Sequence, residues 1–294
     1  MSNGTGGPTS DGAVGGVLWV VATPIGNMDD MSPRALAVLG SVDLVAAEDT
    51  RRTGLLLTRQ GIRARMVSLH EHNEEARVPR LVRALSEGRT VALVSDAGTP
   101  LISDPGFRLV AAAAEAGVVV RPIPGPSAVT AALSVAGLPT DRFVFEGFLP
   151  ARAGARRASL ERVRFEPRTL VWLESAHRIV ASLADAAEVL GSERRAVLAR
   201  ELTKRYETVL RGSLEELSRR VASDPEQQKG EFVLIVEGGT EPPPMGRPVD
   251  DVLDALLAEL PVKQAVRLAA VVTGEKKNTL YRRALQRRQD WASE

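Results

Sequence analysis

The chain has 294 residues, 44% hydrophobic and 26% charged, and its 38 Lys and Arg against 37 Asp and Glu leave a net charge of +1. At about 100–200 residues per domain this predicts about two compact units, and the balanced charge gives no global field for a nucleic-acid or membrane binder, so anion recognition must come from local patches. The absence of cysteine excludes disulfides, iron–sulfur clusters, thiol nucleophiles and Cys-based zinc sites, and three scattered histidines argue against a structural metal site.

Residues 1–15 are rich in Gly, Ser, Thr and Pro and read as a disordered lead-in. With no basic start and no apolar run, they predict no export signal. The longest apolar stretch, Leu109 to Val120, is broken by Glu115 and falls far short of the ~20 residues a membrane helix needs, so a cytoplasmic location away from membranes is expected. VLWVVA, Val17 to Ala22, is apolar on both faces and predicts a buried strand ending in the loop Thr23-Pro24-Ile25-Gly26-Asn27. Ser32 and Pro33 then open a helix as N-cap and first residue, and Gly40 closes it. Strands follow at Asp43 to Asp49, Met66 to His70, Thr90 to Asp96 and Val118 to Ile123. Helices at Thr50 to Gln60, Asn73 to Glu87 and Pro105 to Ala116 separate them. Such alternation predicts a five-stranded parallel sheet covered on both faces.

After a helix at Ser127 to Ala136 the alternation loosens. Strands are expected at Phe143 to Phe148, Thr169 to Glu174, Ala196 to Thr203, Glu207 to Ser213 and Glu231 to Gly238, with helices at His177 to Leu190 and Leu214 to Val221. The third and fourth of these strands lie close enough for a hairpin, which argues for a mixed sheet. The predicted organisation is a first α/β domain over 16–126, a second over 127–240, a stiff Pro-rich linker at 241–248 and a helical tail over 249–294. From Pro261 onward the tail carries eight Lys and Arg against three acids.

Open parallel sheets bind ligands beyond the carboxyl ends of their strands. The loop SDAGTPLISDPG, Ser95 to Gly106, has glycines that allow close backbone approach and carboxylates that accept hydrogen bonds from hydroxyl or amino groups. Part of it also reads as a helix start, with Asp104 as N-cap and Pro105 as first residue. PGPSA, Pro124 to Ala128, leads into a helix that Ser127 can cap and whose first N–H groups are free donors. Neither the G-x-G-x-x-G fingerprint nor a P-loop occurs, which lowers nicotinamide redox and nucleotide hydrolysis, and no G-x-S-x-G elbow supports a serine nucleophile. His70 and His72 have no cluster of further His or Cys ligands around them in the sequence, so no metal site is expected.

Taken in order, VATPIGN, AAEDTR, SLHEHNE, VSDAGTPLISDPG, PIPGPSAV, FEGFLP, LESAHR, RELTKRYE and GEFVLIVEG resemble the ribosomal RNA branch of the tetrapyrrole (corrin/porphyrin) methylase family, over Val17 to Arg288. Two features select that branch. Ala22 to Asn27 stands where corrin and sirohaem methylases usually carry G-x-G-P-G-D, and a basic tail is present. The resemblance implies two α/β domains with S-adenosyl-L-methionine in the cleft between them, and a homodimer. It further implies methylation of the 2′-hydroxyl of a cytidine in the decoding region of 16S rRNA, within the small ribosomal subunit. Donor contacts are implied at Pro24, Asp96, Gly98, Ile102, Ser103, Pro126, Ser127 and Ala128.

A ribose hydroxyl is a poor acid, so a general base would help. Glu48, Asp49, Glu146, Glu174 and Lys204 are the candidates, with Glu48 and Lys204 preferred, although strand-end charges also form ordinary ion pairs with neighbouring Arg. For RNA, the pairs Arg51-Arg52, Arg156-Arg157, Lys276-Lys277, Arg282-Arg283 and Arg287-Arg288 offer cations, and Tyr281 and Trp291 offer stacking faces. The rival readings are a tetrapyrrole C-methyltransferase and a non-catalytic small-subunit assembly factor that keeps the cleft.

Overall fold

The computed structural model describes residues 16–239 and 249–291; the lead-in at 1–15 and the linker at 241–248 lie outside the described residues. The first sheet contains β1 (Val17–Val21), β2 (Leu44–Ala47), β3 (Met66–Ser68), β4 (Val91–Val94) and β5 (Val119–Ile123). Its strands are all parallel, in the order β3-β2-β4-β1-β5. Four helices join them: α1 (Pro33–Ser41), α2 (Thr50–Arg59), α3 (Glu74–Ser86) and α4 (Phe107–Glu115). Local chemistry sets the starts of α1 and α2, where Ser32 Oγ accepts from Ala35 N–H at 3.1 Å and the Asp49 carboxylate accepts from Arg51 N–H at 2.8 Å. Successive strand residues point to opposite faces, so each strand feeds two cores. Leu18, Ala46 and Leu93 pack with Leu81, Leu85 and Leu109, while Val21, Val45 and Ala92 pack with Val38, Leu39 and Leu57.

One helix start differs from expectation. Gly106, not Asp104, is the N-cap of α4, and Pro105 lies outside the helix. The Gly106 N–H donates at 2.8 Å to the buried Glu74 carboxylate of α3, so a tertiary contact ends the loop two residues later than capping chemistry predicts.

The second sheet follows α5 (Ala128–Ala136). It is built from β6 (Phe143–Phe148), α6 (Ala153–Arg162), β7 (Thr169–Ser175), α7 (Ile179–Leu190), β8 (Arg195–Arg200), β9 (Thr208–Ser213), α8 (Leu214–Ser223) and β10 (Glu231–Val236). Its order is β6-β7-β10-β8-β9, with β6 and β7 parallel and the other pairs antiparallel. The mixed sheet is as expected, including the β8–β9 hairpin. Leu170, Trp172, Leu198 and Leu234 face Leu160, Leu183 and Leu217, and Val171, Val197 and Ile235 face Val129 and Leu133 of α5. Helix α6 has almost no apolar periodicity to announce it. It carries Arg156, which is buried with Nε 2.6 Å from Asp185, while Arg157 Nε lies 2.9 Å from the same carboxylate. The pair Arg156-Arg157 is therefore structural rather than a free patch for RNA.

Both sheets belong to one compact unit that ends at Glu237. The second unit contains α9 (Val249–Glu259), α10 (Val262–Thr273) and α11 (Lys277–Trp291), packed around Leu253, Leu257, Val266, Ala269 and Leu280. No described helix is long and apolar enough to cross a membrane.

Candidate active site

The loops after β1 and β4 are clasped together. Thr23 and Gly98 exchange two backbone hydrogen bonds, at 2.9 and 3.1 Å, and Thr23 Oγ1 donates to Ser95 O at 3.2 Å. Gly98 has a φ of +84°, which favours glycine, and a Cβ there would crowd Ile25 Cγ2 at 3.3 Å. Thr99 Oγ1 donates to Pro126 O at 3.0 Å, which ties in the loop after β5. Beneath this clasp the ends of β2 and β4 carry carboxylates. Glu48 accepts from Asp96 N–H at 3.3 Å, and Asp96 accepts from Asp49 N–H and Arg52 Nη1, both at 3.0 Å.

These acids differ in their electrostatics. Burial pushes the Glu48 carboxyl up; the Asp96 N–H opposes this and the Asp96 charge adds to it. Asp104 is pushed up to about 6, chiefly by burial, against the Ser95 hydroxyl and with the help of Glu48 and Asp96. Asp49 is held down to about 2 by its hydrogen bonds from Arg51.

The second sheet supplies the opposite wall. At the end of β7, Glu174 is buried and accepts from Ser175 N–H at 2.8 Å and Ser182 Oγ at 2.6 Å, with Arg178 Nε at 2.9 Å. Between β8 and β9, Lys204 Nζ lies 2.8 Å from Glu201 Oε1 and 2.9 Å from Glu231 Oε2. Partial burial disfavours its charge, but the two carboxylates outweigh that and hold its pKa above the ordinary value. Lys204 is thus a fixed cation rather than a proton acceptor, and of the two preferred bases only Glu48 has a suitable environment. The walls meet where Asn27 N–H donates to Thr203 Oγ1 at 3.1 Å and where a Cβ on Gly26 would stand 2.4 Å from Lys204 Cγ. Among the described residues, the non-glycine residues with left-handed φ are Leu101, Ser103, Glu201 and Thr203, all in the loops of this cleft. Such strain costs roughly 1–3 kcal/mol each and gathers at functional sites.

Between the walls lies a cavity of about 470 Å³. Of the expected site residues, Glu48, Arg52, Asp96, Gly98, Ile102, Ser103, Ser127, Ala128 and Lys204 line it. Pro24 lines a smaller cavity of about 170 Å³ that shares Arg52 and Asp96, and Pro126 acts through its carbonyl behind the wall. Arg51 is 90% exposed and bridges to Asp49. Lys276, Lys277, Tyr281, Arg282 and Arg283 belong to the helical unit, where all are exposed and Arg283 pairs with Asp250 at 3.4 Å. The side chains of Arg288 and Trp291 lie outside what the structure describes. Phe148 and the Glu201–Glu231 pair also line or brace the cleft and were not singled out by sequence, whereas Asp104, read there as a helix cap, lines the cavity; Glu201 falls in RELTKRYE and Glu231 in GEFVLIVEG, so no single motif announced their pairing. Among the described residues no group of three or more His, Cys, Asp or Glu is arranged to hold a metal ion.

A cavity of this size, with glycine-lined backbone, an apolar wall at Ile102 and Val129 and two carboxylates, Glu48 and Asp104, with no salt bridge among the described residues, fits a nucleoside that carries a positive charge. Comparison with known proteins gives the same class. A model of the tetrapyrrole (corrin/porphyrin) methylases matches residues 17–218, and one of the RsmI C-terminal HTH domain matches 246–288. The chain is 56% identical over 275 residues to the ribosomal RNA small subunit methyltransferase I of Pseudomonas aeruginosa, covering 92% of this chain and 98% of that one. The protein of the same name from Mesorhizobium japonicum is 47% identical over 269 residues, covering 92% and 91%. The methyltransferase CobJ shares the fold, with a TM-score of 0.55 at 20% identity over 76% of this chain and 94% of that one. Diphthine synthase does so with a TM-score of 0.55 at 19% identity over 76% and 90%. The chain belongs to the tetrapyrrole (corrin/porphyrin) methylase family: it is a methyltransferase, and S-adenosylmethionine is its methyl donor.

Proposed function

We propose that this methyltransferase acts in the cytoplasm on the 16S rRNA of the small ribosomal subunit, as a homodimer, and methylates the 2′-hydroxyl of a cytidine in the decoding region. The observation that carries the reading is the likeness, over about nine-tenths of the chain, to proteins named for methylation of small-subunit ribosomal RNA. The match to the HTH model extends that likeness into the basic helical unit. There Lys276, Lys277 and Arg282 are exposed cations suited to phosphates, with Arg283 beside them and Tyr281, 45% exposed, as a stacking face.

S-adenosylmethionine, when bound, supplies a methyl group activated by a sulfonium sulfur. The protein's share of the work is positioning, which can lower such a barrier by about 7–11 kcal/mol. Gly98, Ser103, Ser127 and Ala128 let backbone approach an adenosine closely, and Ile102 covers it. The carboxylates of Glu48, Asp96 and Asp104 favour positive charge in the same space. Glu48 would take the 2′-hydroxyl proton as that oxygen accepts the methyl group and the methyl–sulfur bond breaks, and its raised pKa brings it nearer to working pH, where a base is most effective. Lys204, held by Glu201 and Glu231, fixes the loop between β8 and β9 on the other wall, while Arg51 and Arg52, bridged to Asp49 and Asp96, keep their side chains exposed at the rim.

Primer extension at low deoxynucleotide concentration, on rRNA from cells with and without this chain, tests the reading. A stop in the decoding region that vanishes without the chain and returns on complementation is expected. A stop that persists in its absence overturns the proposal.

A further inference from the structure

Phe148 should be a core residue and is not. In β6 a regular alternation would put it on the face of Val144, which packs against the core beneath α6, α7 and α8. Instead the β6–β7 register slips between Phe145 and Phe148, and Gly147 takes a φ of +69°. Leu149 fills the core position, 2% exposed, while Phe148 is turned out, 50% exposed, onto the cleft.

The ring is braced. The Arg178 guanidinium carbon lies over it, 5.7 Å from its centroid. Arg178 is itself fixed three ways, by Glu174 at 2.9 Å, Ser175 Oγ at 3.0 Å and Leu149 O at 3.2 Å. With its charge already committed, it holds the ring rather than a phosphate. The bulge also sits beside the donor loop, since a Cβ on Gly147 would stand 3.5 Å from Ser103 Oγ. A lone exposed aromatic is ordinary. One expelled by a register slip, backed by a fixed guanidinium and placed next to the donor loop is built for a planar ligand.

We propose that Phe148, braced by Arg178, is the face on which the base of the acceptor nucleotide stacks when its ribose enters the cleft. This rests on the RNA reading above. A nucleotide whose ribose enters a cleft between two walls is separated from a stacking neighbour, and an aromatic side chain can take that neighbour's place.

The test uses the full-length protein with S-adenosylmethionine and small subunits from cells lacking this chain. Phe148→Leu keeps the apolar bulk without the π face, and Phe148→Trp keeps the face. Loss of a stacking partner predicts a fall in kcat/KM for subunits of roughly tenfold to a hundredfold in Phe148→Leu, with the Trp variant within about threefold of the parent. Donor affinity by calorimetry should stay within about twofold in both. Arg178→Lys, which keeps the charge but loses the planar brace, should raise KM for subunits with donor affinity unchanged. Full activity in Phe148→Leu, or a loss matched by weaker donor binding, overturns the inference while leaving the RNA reading intact. A parent protein that transfers nothing to subunits overturns both.

Discussion

The two walls of the cleft handle charge in opposite ways. On the second-sheet wall every key charge is answered: Glu174 by Ser175, Ser182 and Arg178, and Lys204 by Glu201 and Glu231. On the first-sheet wall Glu48 receives a backbone N–H and, among the described residues, no salt bridge, while Arg52 is spent on Asp96. Burial there raises Glu48 and Asp104 instead of being offset. A neutralised wall is a rigid support, whereas an uncompensated one is complementary to something that arrives from solution with a positive charge.

That contrast predicts that removing an answered charge is read as stability and removing an unanswered base as function. The largest effect is expected from Glu174→Ala, which strands Arg178 and Ser182. Breaking such a pair should cost about 3–5 kcal/mol in chemical denaturation, with donor affinity of the folded protein unchanged. Normal stability with lost donor binding would erase the distinction. Glu48→Gln should do the reverse: single-turnover transfer falls by about 10²-fold or more at saturating donor, while the denaturation midpoint holds or rises. An unchanged rate removes Glu48 as the base.

Gly98→Ala probes the clasp that joins the loops of the first wall. Its left-handed backbone and the tight contact with Ile25 should cost about 1–2 kcal/mol of stability and weaken donor binding about tenfold by calorimetry. The smallest effect is expected at Asp104. Its carboxyl titrates near 6 when folded against an ordinary 3.8, so its ionised form opposes folding; that penalty is complete above about pH 6 and absent well below 3.8. Asp104→Asn should therefore raise the melting temperature by about 1–2 °C at pH 7.5, partial exposure keeping the gain small, and the gain should shrink to nothing as pH falls toward 4. A gain that grows on acidification would contradict an uncompensated carboxyl.

The first sheet was legible to within two residues at most strand and helix ends, because its strands are apolar on both faces and its helices open with residues such as Ser32, Pro33 and Asp49 that cap locally. The loop Ser95 to Gly106 was legible as a site for the same reason: glycines and carboxylates at a strand end have few other uses. Asp104 misled as a cap because the true partner of the loop is Glu74, thirty residues earlier. Arg156 misled as a surface cation because α6 has no apolar stripe, and only Asp185 explains its burial. Lys204 was found by its motif, but its protonation state depends on Glu231, which lies on β10.

What the sequence determined alone is therefore periodic or local: which strands are covered on both faces, which loops end them, and the ordered motifs that mark the family. What only the tertiary structure decided concerns partners distant along the chain. The register slip that expels Phe148 exists only relative to β7, and the answered and unanswered charges of the two walls differ only once the loops are brought together. Burial and pairing set the state of an ionisable group, and neither is a property of the residue or its neighbours in sequence.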